Sequence, residues 1–221
     1  MSDFTHDVTG ISALADDFRR ELYLFVVSQP APVGRDQAAK ALGVPPHQAK
    51  FHLDRLEEAG LLESEYVRLT GRSGPGAGRP AKIYRRVAQE VSVSLPGREY
   101  ELAGEVMATA IDDSAESGTP IAEALAHAAR ERGRHIGTSA GNGTPLELAA
   151  QSLSDLGYEP HFEGDRVVMG NCPFRALAKD HPRLVCGMNL ALLRGLSDQI
   201  GGLTTTLDPG AGRCCVTLIA D

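Results

Sequence analysis

The stretch from Gly34 to Ala59 constrains the fold most, because it has the pattern of two short helices joined by a tight turn. Its first half is rich in alanine, and Gly43 suits the left-handed residue that commonly ends a helix. Pro46 follows at the start of the second helix, where the N–H that proline lacks would bond nothing. Apolar residues then recur every three or four positions along one helix face: Ala49, Leu53 and Leu56. This pattern predicts a helix–turn–helix.

The second helix carries polar residues at its N-terminal end, where a helix–turn–helix protein meets base edges in the major groove. We predict that Gln48 and Lys50 read bases, because glutamine pairs with adenine and lysine donates to guanine. His47 lies beside them, and Phe51 lies on the same polar side of the helix. Arg55, further along, is placed to contact a phosphate. All five are predicted DNA-binding residues.

A basic wing is predicted directly after this helix. From Tyr66 to Ala88 the chain has no acidic residue, and a glycine-rich loop over residues 71–80 separates two short strand-like runs. A loop that carries arginines can follow the phosphate backbone or enter a minor groove. Because the sign is uniform and the run follows a helix–turn–helix pattern, DNA binding is favoured over a merely solvated charged face. The predicted contacts from this region are Arg68, Arg72, Arg79 and Lys82.

The residues from His47 to Leu62, HQAKFHLDRLEEAGLL, resemble the recognition helix of ArsR-like winged-helix regulators and its exit into the wing. The resemblance covers about residues 12–90. It implies a winged-helix transcription regulator that binds double-stranded DNA, commonly as a homodimer.

Charge is distributed unevenly along the chain. The protein has 221 residues and a net charge of −7, which by itself argues against a nucleic-acid partner. Residues 1–87, however, hold 12 of the 22 basic and only 11 of the 29 acidic side chains, so the remainder is strongly acidic. A near-neutral half with a concentrated basic wing, joined to an acidic half, fits a DNA-reading domain followed by a sensor domain.

No targeting or membrane segment is predicted. The N-terminus is polar and acidic, without the basic and apolar regions of a signal peptide. No apolar run approaches the roughly 20 residues that span a bilayer. We therefore expect a cytoplasmic protein with no membrane partner, in which clustered cysteines serve metal or redox chemistry rather than permanent disulfides.

The predicted fold class is α+β, with an N-terminal winged helix–turn–helix, a helical linker and a small C-terminal α+β sensor domain. The first helix of the winged domain is expected over Ser12–Gln29, and a strand over Val91–Leu95. The linker helices offer either a dimerisation surface or an intramolecular core face. The predicted boundaries are 1–11 for a loose tail, 12–90 for the winged domain, 91–137 for the linker and dimerisation region, and 144–221 for the sensor domain.

The predicted sensor domain contains all four cysteines, Cys172, Cys186, Cys214 and Cys215. Cys172 precedes a predicted helix over 173–178 and Cys186 lies in the first turn of another over 185–199, and helix N-termini favour the metal-binding thiolate. Cys214 and Cys215 begin a predicted strand, where neighbours point to opposite faces, so both could bind one metal only if the strand opened into a loop. The candidates for a fourth ligand beside three thiolates are His161, His181 and the other member of the pair.

Three segments around the cysteines, residues 171–174, 184–190 and 212–216, resemble the C-terminal motif of SufR-type iron–sulfur regulators. The resemblance implies a cluster that tunes promoter binding by the winged domain. It also implies that Cys172, Cys186 and one or both of Cys214 and Cys215 hold this cluster, which is expected to be 4Fe-4S rather than 2Fe-2S.

Other roles are open to the cysteines. Free cysteine is often simply buried, but a vicinal pair and confinement to the last quarter of the chain favour a metal site. A zinc site or a thiol–disulfide switch stays an alternative, although the paired Cys-x-x-Cys of zinc ribbons is lacking and clusters accept wider spacings. An enzyme is not predicted, because Cys186 near His181 is the single hint and no oxyanion or phosphate-loop pattern accompanies it.

Overall fold

The computed structural model describes residues 2–68, 80–137 and 142–221. The chain divides into two compact units, Met1–Val93 and Ser94–Asp221. In each unit, helices accompany a small antiparallel sheet. The predicted α+β class is therefore confirmed.

The first unit builds a helix–turn–helix on a three-stranded sheet. The elements are α1 Ser2–Ala13, α2 Asp17–Ser28, β1 Val33–Gly34, α3 Arg35–Leu42, α4 Pro46–Glu58, β2 Leu62–Val67 and β3 Ala81–Arg86. The sheet has the order β1-β3-β2, and its strands β2 and β3 pair antiparallel from Leu62 opposite Arg86 to Val67 opposite Ala81.

Local signals in the sequence produce the turn between α3 and α4. Gly43 adopts a left-handed φ of 67°, and its N–H bonds the Ala39 carbonyl, which closes α3. The predicted apolar face of α4 is confirmed, since Ala49, Leu53 and Leu56 are all fully buried. Burying a leucine side chain contributes about 2 kcal/mol, so this face attaches α4 to the rest of the unit.

The N-terminal region differs from the prediction. Residues 2–13 form helix α1 rather than a loose tail, and Gly10 packs closely against Leu61 and Val91. The expected single helix over 12–29 is divided, because the Asp16 side chain accepts the Arg19 N–H at 2.8 Å and starts α2 anew. No strand forms over 91–95, which are described residues of irregular structure.

The second unit contains five helices and a four-stranded antiparallel sheet among its described residues. The elements are α5 Tyr100–Ser117, α6 Ile121–Gly137, α7 Pro145–Asp155, β4 Pro160–Glu163, β5 Arg166–Met169, α8 Arg175–Asp180, α9 Pro182–Ile200, β6 Leu203–Leu207 and β7 Val216–Ala220. The sheet has the order β4-β5-β7-β6, and β4 and β5 form a hairpin with Gly164 at a φ of 66° in its turn.

Helices α6 and α9 cross at very short range through two glycines. A Cβ atom on Gly133 would lie 1.9 Å from the Leu192 carbonyl oxygen, and one on Gly195 would lie 1.9 Å from the Arg130 carbonyl oxygen. The Arg130 guanidinium also donates two hydrogen bonds, of 2.7 and 3.0 Å, to the Asp198 carboxylate. Side chains larger than hydrogen would therefore force the two helices apart.

This packing changes the predicted domain organisation. Helices α5 and α6 lie in the same unit and share one core with α7, α9 and the sheet, whereas the sequence placed them in a separate linker. The glycine contact between α6 and α9 is the physical reason, and no local pattern in the sequence reveals it. A dimerisation role for this region stays a prediction. In the described part of the chain, no helix combines the length and apolarity needed to cross a membrane.

Candidate DNA-reading surface and cysteine site

The predicted base-reading residues lie together at the N-terminal end of α4. His47 and Lys50 are exposed, and Gln48 is half-buried in the first turn. The opposite face of the helix is fixed in the core, so these side chains are presented outward on a rigid element. This is the arrangement in which a recognition helix enters a major groove.

An exposed aromatic residue adjoins these polar side chains. Phe51 is 55% exposed, and the Arg55 guanidinium lies 5.4 Å from its ring centroid while hydrogen-bonding Glu58 at 2.7 Å. An apolar side chain on a recognition helix can contact the methyl group of thymine. Arg55 remains half-exposed, so its cation can still reach a phosphate.

A charged network fastens α4 to the wing strand β3. The Asp54 carboxylate accepts hydrogen bonds from Lys50 at 2.5 Å, from Lys82 at 2.9 Å and from the Tyr84 hydroxyl at 2.7 Å. The Lys82 ammonium also donates to Glu57 at 2.5 Å. Strand β3 and the recognition helix thus share one set of hydrogen bonds.

The pKa values of this network follow from its contacts. Partial burial raises the pKa of Asp54, but the hydrogen bonds from Lys50, Lys82 and Tyr84 outweigh it and lower the pKa to about 2. Burial opposes the charge of Lys82, yet its bonds to Glu57 and Asp54 raise its pKa overall. Burial, and then the bond to Asp54, raise the pKa of Tyr84. The network is therefore charged throughout the neutral pH range.

The position of Lys82 differs from its predicted role as a DNA contact. Its side chain is only 23% exposed and lies between two protein carboxylates, so in this structure it positions the wing rather than reaching outward. The sequence pattern missed Asp54, Glu57 and Tyr84 as its partners. The sole sequence signal is that Asp54 and Glu57 lie three apart on one helix face, which does not identify what they face.

Part of the positive charge in the described residues of the wing is neutralised by ion pairs within the protein. Arg68 is exposed at the end of β2, whereas Arg85 donates to Glu63 at 2.8 Å across the strand pair. The predicted contacts Arg72 and Arg79 lie outside the described residues. Among the described wing residues, Arg68 is therefore the predicted contact that is available to DNA.

Three cysteines meet in the second unit. Cys172 lies in the loop between β5 and α8, and strand β7 begins only at Val216, so Cys214 and Cys215 precede it in a loop. Because they are not on a strand, Cys214 and Cys215 need not point to opposite faces. The thiol of Cys214 lies close enough to those of Cys172 and Cys215 to interact with both.

Neighbouring thiols and burial set the pKa values of Cys172 and Cys214. Interaction with Cys214, and then burial, raise the pKa of Cys172 far above the ordinary thiol range. Interaction with Cys172 lowers the pKa of Cys214, but interaction with Cys215 and burial outweigh it and raise the pKa to about 11. These two thiols are therefore neutral at pH 7.

A buried polar chain links Cys214 to helix α9. The Tyr158 hydroxyl donates to the Asn189 side-chain oxygen at 2.5 Å, and the Asn189 amide nitrogen lies 3.2 Å from the Cys214 sulfur. All three residues are no more than 1% exposed. The sequence does not predict a role for Tyr158 or Asn189. The one hint in the sequence is that Asn189 is polar while its neighbours on the same face of α9 are mostly apolar.

The fourth cysteine lies on α9. This helix begins at Pro182 rather than 185, so Cys186 is in its second turn, three residues before Asn189 and on the same face. His181 is exposed at the helix N-terminus, and His161 is exposed on β4, where its ring covers Gly170. In the parts of the chain that are described, no three His, Cys, Asp or Glu side chains are arranged to hold a single metal ion.

Comparison with known proteins finds a match within the first unit. Residues 14–65 match the family model of a helix-turn-helix domain, a segment that contains α2, α3 and α4. No curated protein and no solved structure matches the chain. Together with the buried and exposed faces of α4, this match supports a DNA-binding regulator.

Proposed function

We propose that this regulator binds an iron–sulfur cluster through its C-terminal cysteines and that the cluster tunes promoter binding by the helix–turn–helix unit. The observation that carries the proposal is the convergence of Cys172, Cys214 and Cys215, from two separate loops, next to the helix that bears Cys186. The resemblance of these segments to SufR-type regulators supports the same assignment, as does the resemblance of α4 to ArsR-like recognition helices.

The ligand set and its spacing favour a cluster over zinc. The chain lacks the paired Cys-x-x-Cys of zinc ribbons, whereas iron–sulfur clusters accept wider spacings between their cysteines. A cluster would also supply the positive charge that converts the thiols into thiolates, with release of their protons. Four cysteines match the four irons of a 4Fe-4S cluster.

A route from the cysteine site to the DNA-reading unit begins where the second unit starts. Arg98 donates to the Asn171 side-chain oxygen at 2.7 Å and to the Cys172 carbonyl at 3.4 Å, and Asn171 donates to the carbonyls of Gly97 and Gly157. The chain that leaves the first unit is thereby tied to the loop that carries Cys172. Movement of this loop on cluster gain or loss would pull on the connection between the units.

The regulator is proposed to act as a homodimer on double-stranded DNA. Half-sites of a dimeric helix–turn–helix protein lie about 34 Å apart, so a small change in the separation of the two α4 helices mismatches them. A cluster-dependent pull on the connecting chain would alter that separation.

The first experiment tests the cofactor. We expect protein purified without oxygen, or reconstituted with ferrous iron and sulfide, to absorb visible light and to contain near-stoichiometric iron and acid-labile sulfide. Cys→Ser substitutions at positions 172, 186 and 214 should each abolish cluster retention. A protein that stays colourless and iron-free after reconstitution overturns the cluster assignment and leaves the DNA-binding assignment intact.

The second experiment tests the coupling. An operator is selected from a pool of random duplexes, and its affinity is compared for cluster-loaded and cluster-free protein, with their oligomeric state measured in parallel. We expect the two affinities to differ, and we expect Arg98→Met to reduce that difference. Gln48→Ala should weaken binding by about 1–3 kcal/mol at one base position in both states. Equal affinity of loaded and cluster-free wild type contradicts the switching model.

A thiol–disulfide switch is the second candidate, because the Cys172 and Cys214 thiols are close enough to interact. Under this alternative, mild oxidation of the cluster-free protein closes a Cys172–Cys214 disulfide and changes operator affinity without iron. Mass spectrometry of the oxidised protein identifies the bond. If oxidation leaves operator affinity unchanged, the disulfide is not the signal.

A further inference from the structure

The interior of α9 carries a buried amide beside the cysteine site. Asn189 lies in the interior of that helix and is 1% exposed. Asparagine is a poor helix former, and a buried amide is costly unless all its bonds are made. Its neighbours on the same helix face include the apolar Val185 and Leu193. The amide is therefore tolerated here because of the partners that bond it.

Both ends of the Asn189 amide are satisfied, and the partners define its orientation. The Tyr158 hydroxyl donates to its oxygen at 2.5 Å, which leaves its N–H directed at the Cys214 sulfur 3.2 Å away. Tyr158 is itself fixed, because its backbone carbonyl accepts the Asn171 N–H at 3.0 Å and its ring meets Phe174 edge-on. The Cys214 N–H is held by the Met169 carbonyl at 2.9 Å.

The two protonation states of the sulfur use this amide differently. A neutral thiol both donates and accepts hydrogen bonds, so it needs no N–H donor. A metal-bound thiolate only accepts, and in a buried site it must find donors. The Tyr158–Asn189 pair thus presents a donor that a thiolate requires and a thiol does not.

We infer that Asn189 is a positioning residue that stabilises Cys214 as a metal-bound thiolate, with Tyr158 holding the amide in its donating orientation. The inference rests on the proposed cluster and names two residues that would surround one of its ligands. Hydrogen bonds to ligand sulfurs raise the reduction potential of a cluster, since they stabilise the more negative reduced form. They also strengthen retention of the metal.

The test compares three variants of the full chain after reconstitution with ferrous iron and sulfide. Asn189→Ala removes the donor, and Tyr158→Phe removes only the hydroxyl that orients it. Ser197→Ala is the matched control, because Ser197 is also buried on α9 and its hydroxyl is hydrogen-bonded to Thr205 at 2.6 Å rather than to a cysteine. Circular dichroism and thermal unfolding of the cluster-free proteins show which variants fold.

We expect Asn189→Ala to hold its cluster about 10–100-fold less tightly against a chelator, the range for lost outer-shell contacts, and to have a more negative reduction potential. Tyr158→Phe should move both quantities in the same direction by less, and Ser197→Ala should leave both unchanged. If Asn189→Ala fails to fold, Tyr158→Phe decides the question.

Two results would overturn the inference while the cluster itself stands. One is wild-type retention and potential in both Asn189→Ala and Tyr158→Phe; the other is an equal effect of Ser197→Ala, which would reveal a general loss of stability. A wild-type protein that takes up no iron and sulfide is a different failure. It removes the proposed function, and with it this role of Asn189.

Discussion

The two units hold their functional side chains by opposite physical means. In the first, the recognition helix is fastened to the wing by charged groups at a partly exposed surface, around Asp54 and Lys82. In the second, Cys214 is held by neutral groups in a core that excludes water, through Asn189 and Tyr158. A surface that meets DNA phosphates can use charge because water and salt screen it. A buried thiol site stays neutral until a cation enters it.

The largest expected effect breaks the second unit alone. Gly195→Ala places a Cβ atom against the Arg130 carbonyl and should destabilise that unit by about 3 kcal/mol or more, at the upper end for overpacking. Urea unfolding followed by circular dichroism measures this. Gly187→Ala on the same helix is the control, because its Cβ would meet nothing within 4 Å, and it should gain about 0.5–1 kcal/mol. Similar urea midpoints for Gly195→Ala and Gly187→Ala would mean that α6 and α9 do not cross as closely as described.

A smaller effect is expected at the charged network of the first unit. Asp54→Ala leaves Lys82 and Tyr84 without their shared acceptor and should cost about 1–2 kcal/mol in the free energy of unfolding. Asp36→Ala, which removes an exposed partner of Arg35, should change it by less than about 0.5 kcal/mol. If both substitutions have the same small effect, the network does not hold the wing to α4.

Helix caps should be the feature in which the units behave alike, because a cap acts locally. Asp16 caps α2 by accepting the Arg19 N–H, and Thr144 caps α7 in a reciprocal pair with Glu147. Asp16→Ala and Thr144→Ala should each cost about 1 kcal/mol in thermal or urea unfolding. A cost several times larger at one site would show that this cap also carries tertiary packing.

The smallest expected effect is a difference in pH dependence. The pKa of Asp54 is about 2 in the folded protein, below the ordinary 3.8, so its contribution to stability is complete above the ordinary value and is lost as the pH falls towards 2. The stability lost in Asp54→Asn should therefore shrink from pH 5 to pH 3 in urea unfolding. The stability lost in Tyr158→Phe should stay constant over this range, because burial raises the pKa of Tyr158 and its partners are neutral. A constant Asp54→Asn difference would contradict the charged character of the network.

The sequence by itself determined the features that depend on neighbours along the chain. The helix–turn–helix, its Gly43 turn and the buried face of α4 were predicted because helix periodicity and left-handed glycine conformations are local properties. The four cysteines were also recognised from sequence, as a chemically unusual set.

Only the tertiary structure decided which side chains meet. In the sequence, Lys82 looks like one more basic residue in a basic run. Its two carboxylate partners lie more than twenty residues away along the chain, on another element. Asn189 reads as an ordinary polar residue until Tyr158 and Cys214 are brought to it. Helices α5 and α6 read as a linker because the close approach of Gly133 to α9 has no local signature. Long-range packing selects these contacts, since it depends on the joint shape of elements that the chain order does not place side by side.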